Sequence, residues 1–255
     1  MLWHASAINV YAIEASDGDI GTVSDFLFDD KSWRIRWLVV ATGTWLSGRK
    51  LLIHPSAIGQ ADHERQQLSV ALTKAQVDAS PDILQDQPVS ARMEDSLYDY
   101  YGWDPGWGGG YFGTSPNMIA SPFSPPPFFG GTVAHETVSF QARDGDPDLR
   151  SVVAVAGYHI QATDGEIGHI ENFLIDDAGW DIRYLVVDTR NWWPGEHVLV
   201  SPYAVREISW PDRQIRLDIA RDQLRASPAW TPADTIDRAY EERLHKHYGW
   251  PGYGW

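Results

Sequence analysis

At 255 residues the chain is long enough for two ordinary domains, and a hydrophobic content of 43% suits a globular protein. The net charge of −15 disfavours nucleic acid and anionic membrane surfaces, which both call for a basic face, and leaves a basic protein partner or plain solubility. With no cysteine, disulfides, thiol chemistry and thiolate metal sites are excluded.

In chain order, the opening MLWHASAINVYAIEASDGD lacks a basic start, an unbroken apolar stretch and a small-residue cleavage site, so no signal peptide is expected. No apolar run approaches the roughly 20 residues of a membrane helix. A reducing cytoplasm is the simplest home. Ser16-Asp17-Gly18-Asp19 is a hairpin signal, because Gly accepts positive φ and Asp tolerates it. A strand should precede it, and another should run to Asp29-Asp30. Arg34–Val40, RIRWLVV, is the strongest strand. Its alternation places Ile35 and Trp37 on one face and Arg34 and Arg36 on the other, and its end is apolar on both. KLLIHP follows as a strand stopped by Pro55, and Gln67–Leu72 as a short one. Thr73 then caps a short helix that Pro81 ends. Ser90–Tyr101 has helical spacing and an aromatic end, Tyr98, Tyr100, Tyr101 and Trp103. Asp104–Gly131 is Gly-, Pro- and aromatic-rich without periodicity, which reads as a linker, either wrapped on a surface or flexible.

The pattern then returns. Tyr11 onward and Tyr158 onward align at a constant offset of 147 without a gap, pairing Gly18 with Gly165, Trp33 with Trp180, Arg36 with Arg183 and Pro55 with Pro202. Tyr101-Gly102-Trp103 matches Tyr248-Gly249-Trp250. In the second tail, Thr235–Tyr248, the residues Ile236, Ala239, Tyr240, Leu244 and His247 fall close to one helical face. The expected organisation is a first barrel over 1–81, an aromatic helical tail over 82–103, a linker over 104–135, a second barrel over 150–228 and a second tail over 229–255. Five or six short strands with tight turns per unit point to a mainly β chain of two small closed or half-closed barrels related by internal duplication.

Asp-Gly-(Asp/Glu)-Ile-Gly, Phe-Leu-(Phe/Ile)-Asp-Asp and Trp-x-Ile-Arg-(Trp/Tyr)-Leu-Val-Val resemble the PRC-barrel family over Val10–Pro81 and Gly157–Pro228. That family includes the cytoplasmic domain of the photosynthetic reaction centre H subunit and the C-terminal domain of the ribosome maturation factor RimM. The chain lacks the membrane helix of the former and the preceding β-barrel domain of the latter. The resemblance implies a bacterial protein-docking module and carries no catalytic residues.

The residues agree. Asp17, Asp19, Asp29 and Asp30, with Asp164, Glu166, Asp176 and Asp177, read as turn builders that stay in water rather than as acid–base or cation sites. His245 and His247 point to different helical faces, His54 and His197 do not align between the copies, and no metal set is expected. No nucleophile elbow or phosphate-binding glycine loop occurs in context. Arg36 and Arg183 either anchor an acidic partner or bridge to the Asp-Asp turns, with bridging favoured. The tail aromatics either cover a barrel edge, alone or across onto the other barrel, or dock a second chain. The candidate docking residues are Tyr98, Tyr101, Trp103, Trp192, Trp193, Tyr248 and Trp250, and Gly18, Trp33, Arg36, Gly165, Trp180 and Arg183 form the repeated structural set. The expectation is a non-enzymatic protein-binding adaptor without a cofactor. Its alternative is a small-ligand or metal-binding protein using a Trp- and His-lined cleft between the barrels. A homodimer is open, since two units already make a pseudo-dimer.

Overall fold

The computed structural model describes residues 1–46, 48–81, 89–103, 148–189, 197–232 and 234–253, apart from the side chains of residues 60, 91 and 92. The expected linker and the docking candidates Trp192 and Trp193 lie outside these residues.

The first half contains β1 (Leu2–His4), α1 (Ala5–Ile8), β2 (Ala12–Ala15), β3 (Gly18–Asp29), β4 (Ile35–Ala41), β5 (Lys50–Ile53), β6 (Ile58–Asp62), β7 (Gln67–Val70), α2 (Lys74–Asp78) and α3 (Ala91–Tyr101). The second contains β8 (Leu149–Ser151), α4 (Val152–Val155), β9 (His159–Ala162), β10 (Gly165–Asp176), β11 (Asp181–Asp188), β12 (His197–Val200), β13 (Val205–Ser209), β14 (Gln214–Leu217), α5 (Arg221–Arg225) and α6 (Arg238–Tyr248). The chain is mainly β, with two sheets and few helices. One sheet runs β5-β4-β3-β2-β7-β6 and the other β12-β11-β10-β9-β14-β13, the same order twice. Neither closes into a barrel among the described strands. Of the expected closed or half-closed barrels the closed form is corrected: β5 and β6, and β12 and β13, stand at opposite ends of their sheets, joined by 3-10 turns that Pro55 and Pro202 start.

The turns form as their residues dictate. Gly18 and Gly165 adopt φ of +130° and +145°, and the preceding aspartates do more than turn the chain. Asp17 accepts a hydrogen bond from the Lys74 amide at 2.7 Å and Asp164 from the Arg221 amide at 2.9 Å, tying each hairpin to the following helix. Thr73 caps α2 in a capping box with Gln76.

The β4 alternation differs from expectation. Leu27 pairs with Trp37 and Phe28 with Ile35, which leaves Arg36 as the extra residue of a bulge; Arg183 is the extra residue in β11. Ile35 therefore enters the main core while Trp37 turns to the opposite face. A bulge re-aims a side chain without altering the sequence pattern, so periodicity cannot show it.

The halves are stitched together by exchange. β1 pairs with β10 of the second sheet, and β8 pairs with β3 of the first. Between them, Trp33 and Trp180 adopt positive φ of 59° and 56°, unusual for bulky residues. This conformation turns each tryptophan carbonyl across the seam. The Ile35 amide donates to Trp180 O and the Ile182 amide to Trp33 O, both at 2.8 Å. Arg34 and Asp181, equivalent in the repeat, face each other and pair at 2.9 Å. The core is continuous across this junction, with Phe28 and Phe173 centroids 6.3 Å apart.

Candidate functional site

The tail clamps and the seam each bring chemically able groups together. Each tail helix is capped by a side chain, Ser90 for α3 and Asp237 for α6. The second tail starts later than expected, because the Asp237 carboxylate accepts from the Tyr240 amide at 2.7 Å. Its inward face is Tyr240, Glu241, Leu244 and His245; Ala239 is exposed and His247 half-buried, contrary to the helical-face expectation.

Each tail brings a carboxylate to the bulge. Glu94, 2% exposed, accepts from the Arg36 guanidinium at 3.0 Å and from Trp37 Nε1 at 2.5 Å. Glu241, its repeat equivalent, takes Arg183 at 3.4 Å and the Tyr184 hydroxyl at 3.1 Å. Arg183 also meets Asp176 at 2.8 Å, and Arg36 lies 3.9 Å from Asp29, so both arginines bridge to the Asp-Asp turns. Burial raises the Glu241 carboxyl above its ordinary value against the pull of Arg183. The Tyr184 hydroxyl also lies 2.7 Å from His245 Nε2. Since His245 Nδ1 donates to the Pro251 carbonyl, Nε2 is bare and competes with Glu241 for the one phenol proton. Burial lowers the His245 pKa, which keeps the ring neutral. Glu94 and Glu241 were missed from sequence, although an acid kept at one repeat position opposite a kept arginine was the signal.

The docking candidates sit around these clamps. Tyr98 is 7% exposed against Trp37; Tyr101 stacks on Trp103 and Tyr248 on Trp250, each pair 4.1 Å apart. Both tails lie on their own sheets. Among the described residues they meet the opposite segment at the exchanged strands, through Leu149 on one side and through Leu2 and His4 on the other, so the crossing of tails between units is not what is seen.

At the seam the second aspartate of each Asp-Asp turn is a staple. Asp177 accepts from Trp3 Nε1 at 3.0 Å, and Trp3 stacks on His63 at 3.4 Å. Asp30 pairs with Arg150 at 3.1 Å, whose guanidinium lies 4.2 Å over the Trp210 ring. Positions 3 and 63 thus hold Trp on His where 150 and 210 hold Arg on Trp. The expectation that these carboxylates stay in water is corrected: Asp30 is 12% and Asp177 23% exposed, because the exchanged strands lie over them.

Beside this staple a cleft of about 600 Å³ opens between the halves, lined by Asp30, Arg34, Tyr203, Arg206, Trp210 and Tyr253 among others. Trp33 and Trp210 supply the expected tryptophans, and no histidine lines it among the described residues. Tyr203 stands at its lip, 49% exposed and stacked on Tyr253.

The strand order, the left-handed tryptophan turn and the Asp-Gly hairpin all fall within one compact segment. Residues 8–77 form a PRC-barrel domain. The match spans β2 to β7 of the first sheet; it includes Arg36 and Trp37 of the clamp and stops short of Glu94. No curated protein matches the chain. Among the described residues no helix is long and apolar enough to cross a membrane.

Proposed function

We propose that the chain is a non-enzymatic tandem PRC-barrel protein that acts as a cytoplasmic adaptor for a protein partner. The constant offset of 147, the equal strand order and the reciprocal strand exchange support a second PRC-type unit over 150–228 that arose by duplication. The observation that carries the binding role is the seam cleft. It combines an exposed aromatic lip with cationic Arg206 and anionic Glu207, the mix that sets specificity at protein interfaces. The tail aromatics named as docking candidates serve the clamps in this reading, and the partner's contact is moved to the cleft. The acidic balance of the chain favours a basic partner.

Affinity capture from cells tests this. The full chain should return a reproducible partner that the exposed double variant Tyr203→Ala/Arg206→Glu loses. No partner and no self-association for the wild type would remove the proposal. A small ligand in the same cleft is the second reading, favoured by a volume within the roughly 300–1,000 Å³ of ligand sites. Thermal-shift screening with metabolites separates the two, since a ligand raises the melting midpoint without any protein partner.

A further inference from the structure

Away from the seam, one rung of the second sheet collects metal-ligand chemistry. β10 pairs His169 opposite Asp188 of β11, and Asp188 in turn lies opposite His197 of β12. Directly facing residues on adjacent strands project from the same side of a sheet. The β10 bulge falls at Glu171, between Ile170 and Asn172 in the ladder, and brings its carboxylate to the same group. Glu171 Oε2 lies 2.7 Å from His197 Nε2, and His169 Nε2 lies 3.9 Å from Asp188 Oδ2. One ligand atom each from Glu171, Asp188 and His197 falls within 4.8 Å of the others. Tetrahedral ligands at about 2.0–2.2 Å from a zinc ion stand about 3.3–3.6 Å apart, which these separations bracket.

The first half is an internal control. At the same repeat positions it carries Thr22, Ser24, Ala41 and Lys50, in strands of the same order. The fold therefore does not demand two imidazoles and two carboxylates on this rung. Asp188 is fully buried and His197 only 23% exposed, whereas Lys50 is exposed to solvent. A buried carboxylate held against two imidazoles is an arrangement that a divalent cation stabilises.

We propose that Glu171, Asp188 and His197, completed by a turn of the partly exposed His169 side chain, form a structural site for a divalent first-row transition metal in the second unit. Imidazole with carboxylate selects zinc-like ions over magnesium or calcium, which prefer all-oxygen shells. Four protein ligands fill a tetrahedral shell and leave no open position for a reacting water, so the site is structural and ties β10, β11 and β12 along one rung.

The test uses the full chain stripped with a chelator and titrated calorimetrically with zinc chloride. One zinc per chain and an upward shift of the melting midpoint are expected. His169→Ala/His197→Ala should weaken binding by more than the 10–100-fold that losing a supporting residue costs. Glu171→Ser/His197→Lys, which copies Ser24 and Lys50 of the first unit, should do the same while keeping the wild-type circular dichroism. No zinc binding by the wild type, or wild-type affinity in either variant, would overturn the assignment.

Discussion

Replacing Glu94 by alanine tests the tail clamp most directly. The side chain is 2% exposed and accepts two hydrogen bonds, from Arg36 and from Trp37, whose ring is fully buried. Alanine strands the indole N–H among apolar neighbours, which costs about 1–3 kcal/mol. Arg36 is 27% exposed and keeps Asp29 within 3.9 Å, so solvent recovers most of its charge and it adds at most about 1 kcal/mol. The expected loss is therefore about 1–4 kcal/mol in urea unfolding followed by tryptophan fluorescence. Glu94→Gln keeps an acceptor for Trp37 and should cost about 1 kcal/mol. The contrast between the two variants matters more than either value. Equal costs for alanine and glutamine, or an alanine cost below about 0.5 kcal/mol, would mean that the carboxylate does not hold the tail.

The seam pair supplies a second test: Arg34→Asp and Asp181→Arg each set like charges face to face, and the double exchange should recover about 1–2 kcal/mol relative to the sum of the singles, a modest figure because both side chains are about a third exposed. Alkaline stability supplies a third. Burial pushes Tyr248 up to about 12, and also raises Tyr184, Tyr240 and Tyr253. A raised phenol pKa keeps the folded state neutral while the unfolded chain ionises near its ordinary value of about 10, so stability is intact below pH 10 and is lost above it. Each such tyrosine steepens the loss by about 1.4 kcal/mol per pH unit, and for Tyr248 the loss runs from pH 10 to about pH 12. Urea midpoints measured from pH 9 to 11 should fall, and Tyr248→Phe should flatten the slope; an unchanged slope would refute its part.

Much of the local structure was legible in the chain. Asp-Gly turns, the apolar strand around Leu38, the Thr73 cap and the stop at Pro55 each rest on a residue's own backbone preference, which needs no neighbour. At the offset of 147 the two sheets keep one strand order and the helices α3 and α6 fall at matching positions. The candidate sites were legible only in part, since a side chain's partners depend on where the chain returns in space. Arg36 was rightly read as a bridge to the Asp-Asp turn, but its chief partner, Glu94, lies 58 residues on.

Three features belong to the tertiary structure alone. The bulge at Arg36 puts Ile35 and Trp37 on opposite faces, and that at Arg183 does the same for Ile182 and Tyr184, because one unpaired residue shifts a period-two pattern without marking it. The exchange of β1 and β8 pairs each short strand with a sheet far along the chain, which no local pattern marks. The rung of His169, Asp188 and His197 spans three strands, so no spacing along the sequence encodes it. Composition and pattern determined what each segment becomes; long-range pairing decided which carboxylates are buried and what they hold.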